Sequence, residues 1–366
     1  MVASEIYRTS SYGGRHPLSI PRVSTVVDVC RAMEWLSDDA YIDSPQATAQ
    51  ELARFHDPEY IAAVQRLERE QQADADARQR FNLGVNGNPI YPEVFRRPAT
   101  AAGASQLAGR LLRYGGIVHS PAGGTHHALR ERASGFCYFN DPVLAILSLL
   151  DHGCDRVFYL DIDAHHGDGV QIALAEEPRV FTCSMHEAGR WPMKRDELLG
   201  NLNDRGGGQA LNLPVIEGFN DSEFRFLFES VVLPLIDRFK PDAVVLQCGC
   251  DGLADDPLSR LSLSNQAHWA AVRGLIGVAP RLLVLGGGGY NPWAVARCWS
   301  GVWAVLNGFD VPKRLPEAVV GILRSLIWRH SKGRNPPSHW METLADLPNE
   351  GPLRPEIRDL AKAALM

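Results

Sequence analysis

Tyr159-Leu160-Asp161-Ile162-Asp163-Ala164-His165-His166-Gly167-Asp168-Gly169 is the stretch from which the rest of the chain can be read. The apolar run from Val157 to Leu160 leads directly into two aspartates and a histidine at alternate positions. Side chains at i, i+2 and i+4 of a strand share one face. Asp161, Asp163 and His165 therefore converge where a buried strand ends. Two carboxylates and an imidazole are costly in an apolar setting unless a cation offsets them. Their oxygen and nitrogen donors suit Zn²⁺. The alternative is a polar strand end hydrogen-bonded to neighbouring loops.

Short apolar runs that read as strands recur on either side: Ile117–Ser120, Val157–Asp161, Val180–Ser184, Ala243–Gln247 and Leu282–Leu285. Amphipathic stretches that read as helices lie between them, over Pro142–Asp151, Gly169–Ala175, Ser222–Phe239 and Asn265–Val278. Such alternation implies an α/β fold with a predominantly parallel central sheet flanked by helices. Most of these strands end in polar or glycine-rich clusters, and ligands of parallel sheets bind outside the carboxyl ends of the strands. Two helical stretches, Ala47–Phe55 and Pro58–Gln79, precede the first strong strand. Residues after Asn307 are Pro-rich and close with an amphipathic run over Pro355–Leu365. With no repeat and no convincing linker, residues 1–366 read as one domain, with 308–366 a helical, Pro-rich extension of it.

The 366 residues are 45% apolar, enough for a sizeable core, and carry a formal charge of −6. No basic run marks a nucleic-acid surface. No segment approaches the roughly 18 apolar residues of a membrane span, and MVASEIYRTS lacks the apolar centre of a signal peptide. Seven cysteines without a secretion signal read as reduced thiols in a cytoplasmic protein.

Three further clusters follow strands. Gly123-Gly124-Thr125-His126-His127-Ala128 offers two imidazoles whose ordinary pKa suits general acid–base work; the alternative is a surface histidine pair. Gln247-Cys248-Gly249-Cys250-Asp251 places Asp251 where a third metal ligand could arise, while Asp255 and Asp256 read as turn formers before Pro257. Gly286-Gly287-Gly288-Gly289-Tyr290 lets backbone approach a ligand closely and presents a tyrosine; the alternative is a flexible turn with a packed ring. Arg205-Gly206-Gly207-Gly208 reads as a loop. With Asp163, His165 and Asp251 as ligands, one coordination position would stay open, as at catalytic zinc.

GGTHHA (123–128), SGFCYFND (134–141), YLDIDAHHGDGVQ (159–171), SMHE (184–187), QCGCDGLADDPLSRLSLS (247–264) and LGGGGYNP (285–292) together resemble the zinc-dependent histone deacetylase superfamily of the arginase–deacetylase fold. The wording around Asp251 is most similar to bacterial acetoin-utilisation-type deacetylases. The resemblance implies that Asp163, His165 and Asp251 bind Zn²⁺, for which Fe²⁺ could substitute. It implies His127 as general base and then acid, His126 as its electrostatic partner, and Asp161 and Asp168 as the carboxylates orienting these two imidazoles. Tyr290 would donate to the substrate carbonyl. Gly135, Phe136, Trp191 and Gly288 would line an acyl-lysine tunnel, with Arg22 and Cys137 at its base. Asp161 and Ser184, with the backbone of Asp163 and His165, match a structural K⁺ position.

Three departures from the family pattern stand out. Thr125 occupies a position that is often larger in relatives, which suggests a reshaped inner cavity and acyl groups longer than acetyl. Gly84-Val85-Asn86-Gly87-Asn88-Pro89 lacks the rim aspartate that holds a peptide backbone. Gly189-Arg190-Trp191-Pro192-Met193 replaces an FPGTG-like segment, leaving Trp191 either as a tunnel wall or as a rim or core aromatic. The expected substrates are acylated protein lysines or, in the runner-up reading, small acetylated amines such as acetylpolyamines. An arginase-like ureohydrolase would need a second set of metal aspartates. A non-catalytic binding module would retain the fold without turnover.

Overall fold

Six parallel strands form the centre of the molecule, and the row where they end defines its working edge. The computed structural model describes residues 1–194 and 197–366. After a small parallel pair, β1 (Val2–Ala3) and β2 (Ile42–Asp43), come β3 (Gly116–Ser120), β4 (Val157–Asp161), β5 (Val180–Glu187), β6 (Ala210–Val215), β7 (Ala243–Gln247) and β8 (Arg281–Leu285). The six pair in the order β3-β8-β7-β4-β5-β6. Their register levels the carboxyl ends: Ser120 lies opposite Leu285, Leu285 opposite Gln247, Gln247 opposite Asp161, and Asp161 opposite Ser184.

Alternation along β4 assigns the two faces. Phe158 and Leu160 join a large core with Met185, Leu246 and Val284, packed under the Val23–Ala32, Asn265–Leu275 and Pro292–Asn307 helices. Val157 and Tyr159 face the opposite core, under the Asp141–Asp151 and Asp168–Leu174 helices. Asp161 continues the Val157–Tyr159 side. A third cluster, including Tyr60, Phe139 and Tyr290, underlies the rim.

All five expected strands are present, three of them extended by one to three residues. β6 was missed because Asn212 and Pro214 interrupt its apolar pattern. Proline is tolerated there because β6 is an edge strand. The Pro292–Asn307 helix was missed because every residue from Pro292 to Ala304 is buried, so it has no polar face to give a helical period. The Arg96–Leu111 helix is similarly buried over most of its length. It packs so closely on Asp141–Asp151 that a Cβ on Gly109 would lie 2.3 Å from Ser148 Oγ.

Several expected helices are shorter or broken. Pro58–Gln79 divides into Pro58–Glu70 and Ala75–Gln79 at Gln71, which adopts a left-handed conformation. The expected Ala47–Phe55 helix is only Ala49–Leu52, started by a Thr48–Glu51 capping box. Ser222–Phe239 becomes Asp221–Leu227, a π turn over Phe228–Val232, and Leu233–Phe239. Pro234 has no N–H to continue the α-helical ladder, and the π turn takes up the mismatch. Arg205–Gly208 includes a short 3₁₀ turn. After Asn307, Trp340, Leu344, Ile357 and Ala361 all join the large core.

Trp299, fully buried, donates its indole N–H to the Cys248 carbonyl 2.8 Å away. Truncating it removes packing and orphans that carbonyl. Trp299→Ala is expected to cost about 3–5 kcal/mol, measured as a lowered denaturation midpoint; an unchanged midpoint would contradict this packing.

Candidate active site

The levelled strand ends hand their polar residues to one place. Asp163 and His165 follow β4, Asp251 follows β7, and donor atoms of the three lie within 4.8 Å of one another. Each is held from behind. Asp163 Oδ2 accepts from Gln247 Nε2 and from the Gly288 amide, both at 2.8 Å. Asp251 Oδ1 accepts from the Ala164 amide at 2.9 Å. His165 Nδ1 lies 2.8 Å from Asp251 Oδ2 and 3.2 Å from Asp163 Oδ1.

Glycine is required for this closeness. A Cβ on Gly288 would lie 2.1 Å from Asp251 Oδ2, and one on Gly249 would lie 2.0 Å from Asp163 Oδ2. The glycine-rich strand ends therefore serve carboxylate approach and are not merely flexible turns.

The two histidines after β3 are buried and differently partnered. His126 Nδ1 pairs with Asp161 Oδ2, and His127 Nδ1 with Asp168 Oδ1, each at 2.7 Å. The loop carrying them is clamped by the start of the next helix. Asp141 accepts from the Gly124 and Thr125 amides, and Asn140 Nδ2 donates to the carbonyls of His126 and Ala128. Burial lowers the His126 imidazole, but the charges of Asp161 and Asp163 outweigh it and push it up to about 9. For His127, burial and then the neighbouring His126 charge prevail, bringing it down to about 4. His165 is buried as well, yet Asp251 and Asp163 push it up to about 10. Two adjacent imidazoles are thus set apart, one favoured as a cation and one as the neutral form.

Above these groups a funnel of about 490 Å³ is lined by Asn82, Asn86, Gly135, Phe136, Trp191, Leu258 and Tyr290. Trp191 is half exposed, with its ring 4.7 Å from that of His127. Its ring thus borders the funnel rather than the core. Phe136 adopts φ 68°, costly for a bulky residue. Asn88 Oδ1 accepts from its amide, the Tyr12 hydroxyl donates to its carbonyl, and His16 packs edge-on at 4.5 Å. The Tyr290 ring lies at the funnel base with no side-chain hydrogen-bond partner among the described residues. Buried Asp256 accepts from its amide, so this aspartate does more than form a turn.

Below lies a small cavity of about 50 Å³ bordered by Thr125, Cys137, Arg22 and Arg97. Arg22 donates to the Gly287 carbonyl at 2.7 Å and lies over Trp299. The Ser184 hydroxyl contacts His186 Nδ1 at 2.8 Å, beside Asp161 in register. Sequence reasoning assigned no role to Gln247, although it opens a quoted motif, nor to Asn88 and Arg97, which stand outside every motif. Gln247 alone carried a signal, as the polar end of a buried strand.

A histone deacetylase domain matches residues 16–306. The chain belongs to the histone deacetylase family. It is 36% identical to a putative histone deacetylase 2 of Caenorhabditis elegans over 313 residues, covering 83% of this chain and 61% of that protein. It is also 36% identical to histone deacetylase 9 of Arabidopsis thaliana over 310 residues, 84% of this chain and 72% of that one. The chain thus spans about three-fifths of the nematode relative's length. A crystal structure of a histone deacetylase homologue from Aquifex aeolicus superimposes with a TM-score of 0.93 at 35% identity, covering 99% of this chain and 98% of that one. The histone deacetylase fold follows from this membership.

The raised histidines set a pH dependence in metal-free protein. Folded His126 and His165 keep protons that the unfolded chain releases near its ordinary value of about 6.5. Their stabilisation is therefore complete below that value and lost as pH rises through about 9 and 10. Thermal midpoints of chelator-treated protein are expected to fall from about pH 7 to about pH 10; a rise would contradict the two assignments.

Proposed function

We propose that the chain is a zinc-dependent deacylase that removes acetyl, and longer acyl, groups from protein lysine side chains. One observation carries this reading. Two carboxylates and an imidazole converge at the base of a funnel beside two histidine–aspartate pairs and a tyrosine hydroxyl. The donor set fits a divalent ion. Asp163 and Asp251 face each other in a buried site with only His165 between them, and a cation would offset that charge. Their O/N chemistry matches catalytic zinc, and Fe²⁺ would be accepted by the same ligands. Bound there, the metal would supply Lewis acidity and a more acidic water.

The chain's own residues account for the remaining steps. Phe136 and Trp191 flank the lysine stem, with Gly135 leaving room beside them and Gly288 at the base. His127, its Nδ1 engaged by Asp168, offers Nε2 to take a proton from the attacking water and return it to the departing amine. His126, held cationic by Asp161, supports the negative charge that develops. Tyr290 donates to the carbonyl oxygen as it becomes an oxyanion. Arg22 and Cys137 border the cavity beneath. Asp161 and Ser184, with the carbonyls of Asp163 and His165, would hold a structural K⁺. The seven cysteines are free and buried, which supports a reducing, cytoplasmic setting. No helix among the described residues is long and apolar enough to cross a membrane.

The runner-up substrate is a small acetylated amine. Asn86, in place of a rim carboxylate, favours it, because the rim then offers a peptide no charged anchor. Acetate release from an acetyl-lysine peptide and from N-acetylputrescine, side by side with a chelator control, separates the two. Fast chelator-sensitive turnover of the peptide is expected; strong preference for the polyamine would overturn the lysine reading. Tyr290→Phe is expected to stay folded and metal-loaded while losing about 10²–10³ in rate; full activity would remove its role. Thr125 borders the inner cavity, and an acyl series is expected to show turnover beyond acetyl, with a strict stop at acetyl as the contrary result.

A further inference from the structure

A second groove, of about 840 Å³, adjoins the funnel and shares Tyr290 and Leu258 with it. Its walls come from two segments far apart in sequence, 11–20 and 327–330. The segments touch: Arg329 Nη1 lies 3.2 Å from where a Cβ on Gly14 would sit. Arg15 and Arg329 are exposed on these walls. Neither makes a hydrogen bond or ion pair among the described residues, whereas the exposed Arg80, Arg179 and Arg225 all pair with carboxylates.

Among the described residues, no aspartate or glutamate lines the groove. The two acids preceding Pro257 are already engaged, Asp255 with the Trp340 indole and Asp256 with the amides of Leu258 and Tyr290. Lys332, donating to the carbonyls of both, adds a third cation on that side. His16 contributes no charge. Its Nδ1 accepts from the Leu18 amide and its Nε2 donates to the Gly87 carbonyl, which makes it neutral. Ile327 is 76% exposed, and Trp328 stacks on His330 at 4.6 Å, so an apolar surface accompanies the cations.

In a chain of net charge −6, a groove with unpaired guanidiniums that opens beside the catalytic funnel selects for negative charge on what lies across it. We propose that this groove receives the flank of the substrate polypeptide and that Arg15 and Arg329 select aspartate or glutamate close to the acylated lysine, with an apolar side chain against Ile327. The proposal rests on the acyl-lysine reading above. It supplies the electrostatic anchor that Asn86 does not.

The test uses the full, metal-loaded chain with acetyl-lysine peptides carrying acidic, neutral or basic flanks on either side, beside an isolated acetyl-lysine amide without flanks. Acidic flanks are expected to exceed basic ones by about three- to tenfold in kcat/KM, mostly through KM, as exposed charge pairs allow. The preference should shrink as salt rises from about 0.05 to 0.5 M. R15E/R329E should invert the order, and R15Q/R329Q should flatten it, while turnover of the unflanked amide is unchanged. Equal rates for all flanks, or a preference that survives both double variants, would overturn the groove's role and leave the deacylase reading standing. Turnover of N-acetylputrescine with none of any acetyl-lysine substrate would overturn both.

Discussion

The levelling of the strand ends is the constraint on which the site depends. Because Ser120, Leu285, Gln247, Asp161 and Ser184 lie in one row across the sheet, the short segments that follow the strands all start at the same height. Asp163, Asp251 and the loop bearing His126 and His127 can then meet without a long excursion from any strand. Parallel pairing is what permits this, since it places every carboxyl end on one edge. A slip of one residue in β4 would turn Asp161 into the opposite core and separate the carboxylates.

The site is held by a ring of buried hydrogen bonds behind it. Gln247 reaches Asp163 and the Gly124 carbonyl, Asn140 and Asp141 clamp the histidine loop, and Asp256 holds Tyr290 by its amide. Each interaction is modest, but the low dielectric strengthens them together and makes any gap expensive. A separate set, Asn88, Tyr12 and His16, holds Phe136 in a conformation it would not adopt alone. Precise placement of ligands, imidazoles and funnel wall is thus one property of the packing around them.

Electrostatics then divides the labour between two chemically identical side chains. His126 lies between two buried aspartates and holds its proton; His127 lies next to that charge and gives its proton up. Their rings are only 3.9 Å apart. A shared spacing in the chain thus yields opposite protonation states, because each imidazole faces a different number of carboxylates. Beyond the funnel, exposed Arg15 and Arg329 stand on the outer groove wall, while carboxylates gather at the base.

Much of this was legible along the chain. The alternation of Asp161, Asp163 and His165 after a buried run, the glycine clusters and the strand–helix rhythm pointed to five of the six central strands, to the two carboxylates and the imidazole that converge as a candidate metal site, and to the histidine pair. These signals are local, since a strand period and a backbone that must approach a carboxylate leave their mark on neighbouring residues. What spacing could not show depends on distant partners. The Pro292–Asn307 helix has no polar face, β6 carries a proline tolerated only at an edge, and Gln247, Asn88 and Asp256 acquire their roles from groups far away in sequence. The place of Trp191 on the funnel wall, the unequal protonation of His126 and His127, and the meeting of Arg15 with Arg329 were decided by tertiary structure alone, because contact and dielectric are properties of the packed chain.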